Sequence, residues 1–255
     1  MFTELTNCPS HIELLRSFYI TVYETEFPDI NERESLENMI GYLRAKDQGW
    51  YGLNNYHIVL IKDKSVVVGI SISDYLAEPN TGVIEFLLIH PKHRHGKRLA
   101  HELLDHTEAL FHQDAHQAGW PQLDFIVAEM NDPFRTPVAD DSVDPWKRAI
   151  IGGRLGYGVL DFPYTQPALD KDKTAVNNLL LICKDLRSTS SSEVPAATVK
   201  AIVYAYLRWA MRFEHPETSP DYLCMEEFLD ARENIRLLPL RDYVNISYKN
   251  IRLPW

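Results

Sequence analysis

Glu85 interrupts an otherwise apolar run from Val83 to Ile89. A run of β-branched, aromatic and leucine residues is expected to form a buried strand. A carboxylate inside such a strand has its pKa raised by desolvation unless it is paired, and that suits proton transfer near neutral pH. The other placements open to Glu85 are a wet sheet face or a Lys or Arg partner. Immediately downstream, Pro91 ends the strand, and Lys92, His93, Arg94, His95, Gly96, Lys97 and Arg98 make a basic loop. A helix then begins, with Leu99, Leu103 and Leu110 near one face and Ala100, Leu104 and Phe111 beside them.

Strand, basic glycine-containing turn and helix together form a device for holding phosphates. The first backbone N–H groups of a helix have no internal partner, and its dipole favours an anion in front of them. Gly96 lets the backbone approach closely. The chain carries a net charge of −10, so a local Lys/Arg cluster stands out as an attractor for a phosphorylated ligand. An ordinary solvated basic loop is the competing reading.

The elements that must position these residues are legible in order. Ser10 with Glu13 reads as a capping box opening a helix that carries Ile12, Leu15, Tyr19 and Val22, with Pro28 closing it. Leu36, Met39, Ile40 and Leu43 mark a second helix. The runs 57–61 and 66–72 make an antiparallel hairpin, and 2–5 is a short candidate first strand. The helix from Leu99 runs to about Gln117 and stops at Gly119. Strands follow at 123–128, 159–162 and 179–183, with a proline- and aspartate-rich loop at 131–145 and a helix at 146–155. Ser188–Ser192 reads as a polar linker to a helical tail, with one amphipathic helix from about Val199 and another opened by Ser219-Pro220.

Composition bounds the function. A chain of 255 residues with 45% hydrophobic and 24% charged residues is a soluble globular protein with one sizeable core. No segment reaches the ~20 apolar residues needed to span a membrane. The N-terminus lacks a basic, apolar signal pattern, and Cys8, Cys183 and Cys224 are few and distant, so a reducing cytoplasm is expected. The acidic balance disfavours nucleic acid. His112 and His116 stand i, i+4 on a helix, but no Cys or carboxylate completes a metal site, so no metal is expected.

The stretch around the basic loop resembles motif A of the GNAT acetyltransferase superfamily, written Q/R-x-x-G-x-G/A after a strand ending V-x-P. Ile89-His90-Pro91 matches V-x-P, and Leu99-Ala100-His101-Glu102-Leu103-Leu104 fits the usual helix start. In this register His95 takes the Q/R position, Arg98 the central Gly and Ala100 the G/A position, with Gly96 two places early. Pairing Arg94 with Q/R instead restores the spacing from Pro91 but puts Lys97 and Leu99 at the small positions. The resemblance covers roughly residues 1–187 and implies an α/β fold with a mixed, mostly antiparallel sheet flanked by helices. Residues 188–255 then form a linker and helical C-terminal extension, which could pack on the fold, complete the acceptor pocket or form a homodimer.

The resemblance also implies acetyl-CoA as cosubstrate, with no nucleic-acid or membrane partner. Its pyrophosphate would lie on His95, Gly96, Lys97, Arg98, Leu99 and Ala100. Its pantetheine arm would lie against the backbone of Leu88 and Ile89, in a slot between strands 4 and 5. Asn131, just after strand 5, matches an Asn often found there. Leu155-Gly156-Tyr157 resembles motif B, Y-x-x-L-G-F, but Gly152 stands at the Tyr position, where many family members have the residue that protonates the leaving thiolate. Tyr157 and Tyr164 are the nearest substitutes.

Glu85 is then the leading candidate for the base and Glu129 the second. Glu24, Glu26, Asp29, Glu32 and Glu34 would suit a cationic amine, or simply form a solvated face. The expected activity is transfer of an acetyl group from acetyl-CoA to the primary amine of a small molecule. The alternatives are a protein lysine or N-terminal acetyltransferase and a non-catalytic acyl-CoA-binding or regulatory module.

Overall fold

The computed structural model describes residues 1–27, 30, 31, 33–64, 66–94, 98–136, 143–168, 172–187 and 191–240. They fall into two compact units, Met1–Leu123 and Asp124–Trp255.

In the first unit, β1 (Phe2–Glu4), β2 (Asn55–Asp63), β3 (Val66–Leu76) and β4 (Thr81–Ile89) pair antiparallel in chain order. Side chains alternate between two faces because a strand has period two. On one face Tyr56, Ile58, Leu60, Ile70, Ile72 and Leu88 meet α1 (Pro9–Phe18), which runs through a π turn at Tyr19–Tyr23 into α2 (Glu24–Glu26), and also α3 (Leu36–Asp47). On the other, Val59, Ile61, Val68 and Ile89 meet Leu99 and Leu103 of α4 (Leu99–Gln117). The apolar stripe of α4 drifts slightly from the expected one: Leu103, Thr107, Phe111 and Ala115 are fully buried. Phe111 sits where a Cβ on Gly82 would stand, 2.2 Å from its ring, so the glycine is what lets α4 settle on β4.

The capping box at Ser10 does not form. Cys8 takes the N-cap position and Pro9 the first turn, where a missing N–H costs nothing. Ser35, by contrast, caps α3 with its hydroxyl on the Asn38 N–H at 3.1 Å. The expected stop at Pro28 lies outside the described residues.

In the second unit, β5 (Phe125–Asn131), α5 (Pro145–Arg154), β6 (Gly158–Leu160) and β7 (Leu179–Asp185) are followed by β8 (Glu193–Pro195), α6 (Ala196–Ala205), α7 (Pro220–Asp230) and β9 (Asn234–Pro239). The strands pair antiparallel in the spatial order β5, β7, β6, β9, β8. The tail therefore contains two strands as well as the expected helices. β9 covers the edge of β6, a three-residue strand that would otherwise present unpaired backbone groups. No helix among the described residues is long and apolar enough to cross a membrane.

Candidate active site

The register between β3 and β4 slips by one at Ile72/Ser73: Ile72 faces Phe86, and Ser73 faces Ile84. Glu85 is the extra residue of a β-bulge, the device by which a strand re-aims a side chain. With strict alternation, Glu85 and Phe86 would point to opposite faces. The bulge brings both to the helical face of α1 and α3. Phe86 packs edge-on against Tyr23 and Phe27, with ring centroids at 5.2 and 5.0 Å. The half-buried Glu85 carboxyl acts electrostatically on the buried hydroxyls of Tyr23 and Tyr56. Burial pushes both phenols well above their usual pKa of 10, so both stay protonated.

Two further carboxyls complete this face. Asp74 is fully buried and pairs across the ladder with Tyr56. Burial pushes its pKa up to about 6, against the opposing effects of Glu85, His57 and Lys46. Glu34, just before α3, accepts from the Ser35 N–H (2.7 Å), the Asn38 amide (2.8 Å) and the Tyr42 hydroxyl (3.2 Å). The result is a cluster of tyrosines and carboxyls beside Glu85. Of the acidic run noted in the sequence, Glu34 belongs to this cluster, while Asp29 and Glu32 lie outside the described residues.

The basic loop starts differently from expectation. His90 Nδ1 accepts from the Lys92 N–H at 3.2 Å, ordering a short turn at Pro91–His93. Arg94 turns inward: its Nε donates to the Ile89 carbonyl at 2.9 Å, and its guanidinium pairs with Glu26. Arg94 thus ties the loop to α2 instead of facing a phosphate. His95, Gly96 and Lys97 lie outside the described residues. Arg98 takes the N-cap position of α4 without a side-chain cap bond; it and Ala100 are exposed, and Leu99 is buried against the sheet.

Of the two backbone groups expected to hold a pantetheine arm, only Ile89 is suitably oriented. The His90 N–H donates to the Val68 carbonyl, and bonding in an antiparallel ladder alternates. Leu88, opposite Ile70, therefore directs its N–H and carbonyl to β3, and Ile89 directs its own away from β3. The expectation for Leu88 is corrected on that ground. Asn131 is likewise the last residue of β5, paired with Leu179, rather than the first residue after it.

In the second unit, the structure brings together two residues singled out separately in the sequence. The Tyr164 hydroxyl donates to the Glu129 carboxylate. Burial and the Glu129 charge push the Tyr164 pKa well above 10, so its proton stays on oxygen and holds the carboxylate in place. The Leu155-Gly156-Tyr157 signature forms the C-terminal cap of α5. Gly156 has φ +90°, and the Tyr157 N–H donates to the Gly152 carbonyl at 3.1 Å. Tyr157 is buried behind this turn. A Cβ at Gly152 would stand 2.7 Å from Leu240 Cδ2. The C-terminal segment has thus filled the space beside Gly152, and a tyrosine there would have to displace a fully buried leucine.

Sequence reasoning missed Asp74. Its signal was an aspartate in the apolar run Ile70-Ser-Ile-Ser-Asp-Tyr-Leu76, where strands seldom place one. It also missed a buried ion cluster on the α4 face. His57 lies between Glu4 (Nδ1, 2.7 Å) and Asp114 (Nε2, 2.7 Å), with Asn55 on Asp114 (2.8 Å) and Lys46 on Glu4 (2.9 Å).

This architecture is the fold of the GNAT acetyltransferases. A protein assigned to that family from Bacteroides thetaiotaomicron matches with a TM-score of 0.57 at 16% identity, over 84% of this chain and 99% of that one. A tandem GNAT protein from the clavulanic acid biosynthesis pathway matches with a TM-score of 0.50 at 14% identity, over 91% of this chain and 66% of that one. No protein-family model and no curated protein matches the sequence.

Proposed function

We propose that the protein is an N-acetyltransferase that moves an acetyl group from acetyl-CoA to the primary amine of a small cationic molecule. The observation that carries this reading is Glu85, turned by a strand bulge into a half-buried setting of tyrosines and carboxyls on a GNAT fold. A neutral amine attacks a thioester readily once the two are oriented, so the protein's tasks are to position both substrates and accept one proton. Glu85 is the group proposed to accept it. Ile89 offers a backbone N–H and carbonyl away from β3 for the cosubstrate's amides, with the Arg94 guanidinium the current partner of that carbonyl. Arg98, Leu99 and Ala100 at the start of α4, with His95, Gly96 and Lys97 before them, are proposed to receive its pyrophosphate. Tyr164 and Glu129 form a second proton-handling pair, and Tyr157 stands beside the residue position that the family's acid takes.

The carboxyls of Glu34, Glu85 and Asp74 among Tyr23, Tyr42 and Tyr56 favour an acceptor with a positive charge, by Coulomb attraction and by contact with aromatic faces. The absence of the motif-B tyrosine, with Gly152 in its place, favours a second reading, a non-catalytic acyl-CoA-binding or regulatory module.

Thermal unfolding with acetyl-CoA, CoA and ATP tests the cosubstrate assignment. A ligand that binds only the folded state stabilises it by about 2.7 kcal/mol at a hundredfold excess over its dissociation constant. A clear rise in Tm with acetyl-CoA and CoA, and little with ATP, is expected. No shift at saturating acetyl-CoA would remove the phosphate-loop assignment and with it both readings.

A further inference from the structure

Asp74 and Glu85 lie on adjacent strands, on the same face. Asp74 pairs with Val83, and Glu85 is two residues further along β4, at the bulge. Diagonal neighbours of this kind are within reach of each other's side chains. Asp74 is 0% exposed, and neither of its oxygens is bonded to an N–H or hydroxyl among the described residues. Besides burial, the largest effect on its acidity is that of the Glu85 carboxyl, which lies close enough to share a proton with it. Two carboxyls can hydrogen-bond only if one carries a proton. The other charged and titratable groups acting here are Lys46 and His57 on Asp74, and Glu34 with the phenols of Tyr23 and Tyr56 around Glu85. Neither cation is bonded to Asp74: Lys46 binds Glu4 and the Tyr56 carbonyl, and His57 binds Glu4 and Asp114. A fully buried carboxyl with no bonded cation is costly and marks a functional role.

We propose that Asp74 is a positioning residue for proton transfer: it and Glu85 hold one proton between them across the β3–β4 ladder, so that Glu85 acts on the acceptor as half of an acid pair. The inference rests on Glu85 being the base. Two carboxylates side by side cannot both ionise easily, so the second ionisation of the pair is raised. In the doubly ionised pair, Glu85 takes one proton from the acceptor's ammonium group. The freed nitrogen lone pair forms a bond to the thioester carbonyl carbon of acetyl-CoA. The C–S bond then breaks, its electron pair goes to sulfur, and the second proton on the nitrogen passes to the leaving thiolate, giving the neutral amide and the CoA thiol. The proton taken up is held between Glu85 and Asp74 until solvent removes it. A lone glutamate of ordinary acidity would hold that proton far less well.

Two measurements test this. In wild-type protein carrying carboxyl-¹³C aspartate and glutamate, Asp74 and Glu85 should titrate together in two separated steps, with assignments made from Asp74→Asn and Glu85→Gln. In the pH profile of kcat/KM, Asp74→Asn should move the acid limb down by about one unit or more, as expected when a like charge is removed. The rate at high pH should fall as well, because Glu85 alone is the weaker base. If Asp74 titrates in one step, unaffected by Glu85→Gln, or if the acid limb stays in place in Asp74→Asn while Glu85→Gln abolishes it, the inference is overturned and Glu85 remains the base. Full activity in Glu85→Gln would instead overturn the assignment of Glu85 itself. Glu85→Gln alone removes one resonance of the pair and turns its partner's titration into a single step, so a poorly folding Asp74→Asn variant does not leave the pair untested.

Discussion

Glu85→Gln is expected to lower kcat by about a hundred- to ten-thousand-fold, the usual contribution of a positioned general base. The affinity for acetyl-CoA should be unchanged. Glutamine keeps the length and planarity of the side chain, so the bulge, the Phe86 contacts with Tyr23 and Phe27, and the strand register are retained. Only the ability to accept a proton is lost. Because the amine must be neutral to attack, raising the pH should partly restore the variant's rate by deprotonating the acceptor in solution. The check is a steady-state comparison of kcat and KM for wild type and variant over pH, with cosubstrate binding measured separately. Equal turnover would take Glu85 out of the mechanism; weakened acetyl-CoA binding would make it a structural residue.

The second large effect concerns stability. His57→Ala should destabilise the protein by about 3–5 kcal/mol, the range for breaking a buried ion pair by removing one partner. Asp114 is buried, and its carboxylate would lose the cation facing it at 2.7 Å. Both His57 ring nitrogens face carboxylate oxygens, so both carry protons and the ring is cationic. Burial lowers its pKa, but Asp114 and Glu4 outweigh burial and raise it above 6.5. A raised pKa in the folded state contributes stability that is fully present below 6.5 and lost as pH rises through the folded value. Glu4 behaves oppositely. Burial raises its pKa, but His57 and Lys46 together bring it from 4.5 down to about 2. Its contribution is fully present above pH 4.5 and lost as pH falls to about 2. The cluster is therefore strongest between about pH 4.5 and 6.5. Thermal unfolding across pH should show Tm falling above this window in wild type, with the alkaline slope reduced in His57→Ala. A variant with unchanged Tm and an unchanged slope would show that the cluster contributes nothing net.

The parts of the fold that were legible in the sequence are those with a local cause. The strand, basic loop and helix from Thr81 to Gln117 were readable because Val83–Ile89 is apolar, Pro91 blocks the ladder, and the leucines after Arg98 recur at helical spacing. Glu85 was legible as a carboxyl in the wrong company. The bulge that aims it was not, because one extra residue in a strand leaves the composition unchanged and only the partner strand exposes the slip. Asp74 went unnoticed because its importance comes from a cross-strand neighbour. The His57 cluster joins β1, β2, α3 and α4, four segments whose proximity no local pattern announces.

The capping box at Ser10 failed because a proline at the first turn set the helix start two residues earlier. The strands β8 and β9 were hidden for a related reason: β9 pairs with Gly158–Leu160, far away in sequence, and the helical periodicity of α6 and α7 dominates the tail. The pairing also explains the departure at Gly152. Leu240, the residue after β9, lies against the glycine, so the absence of a tyrosine there and the Leu240 packing are two sides of one arrangement.

The most direct test of acetyl transfer is mass analysis of an amine panel incubated with wild-type protein and acetyl-CoA. The panel is an alkyl monoamine, an alkyl diamine, an amino-acid ester, a peptide with a free N-terminus and an N-blocked lysine peptide. A product heavier by one acetyl group is expected, formed with an equal amount of free CoA and fastest with a small amine that carries a second positive charge. Preference for either peptide would make the protein's acceptor another protein. Binding of acetyl-CoA with no acetylated product from any member of the panel would contradict the account and leave a GNAT fold that holds its ligand without using it.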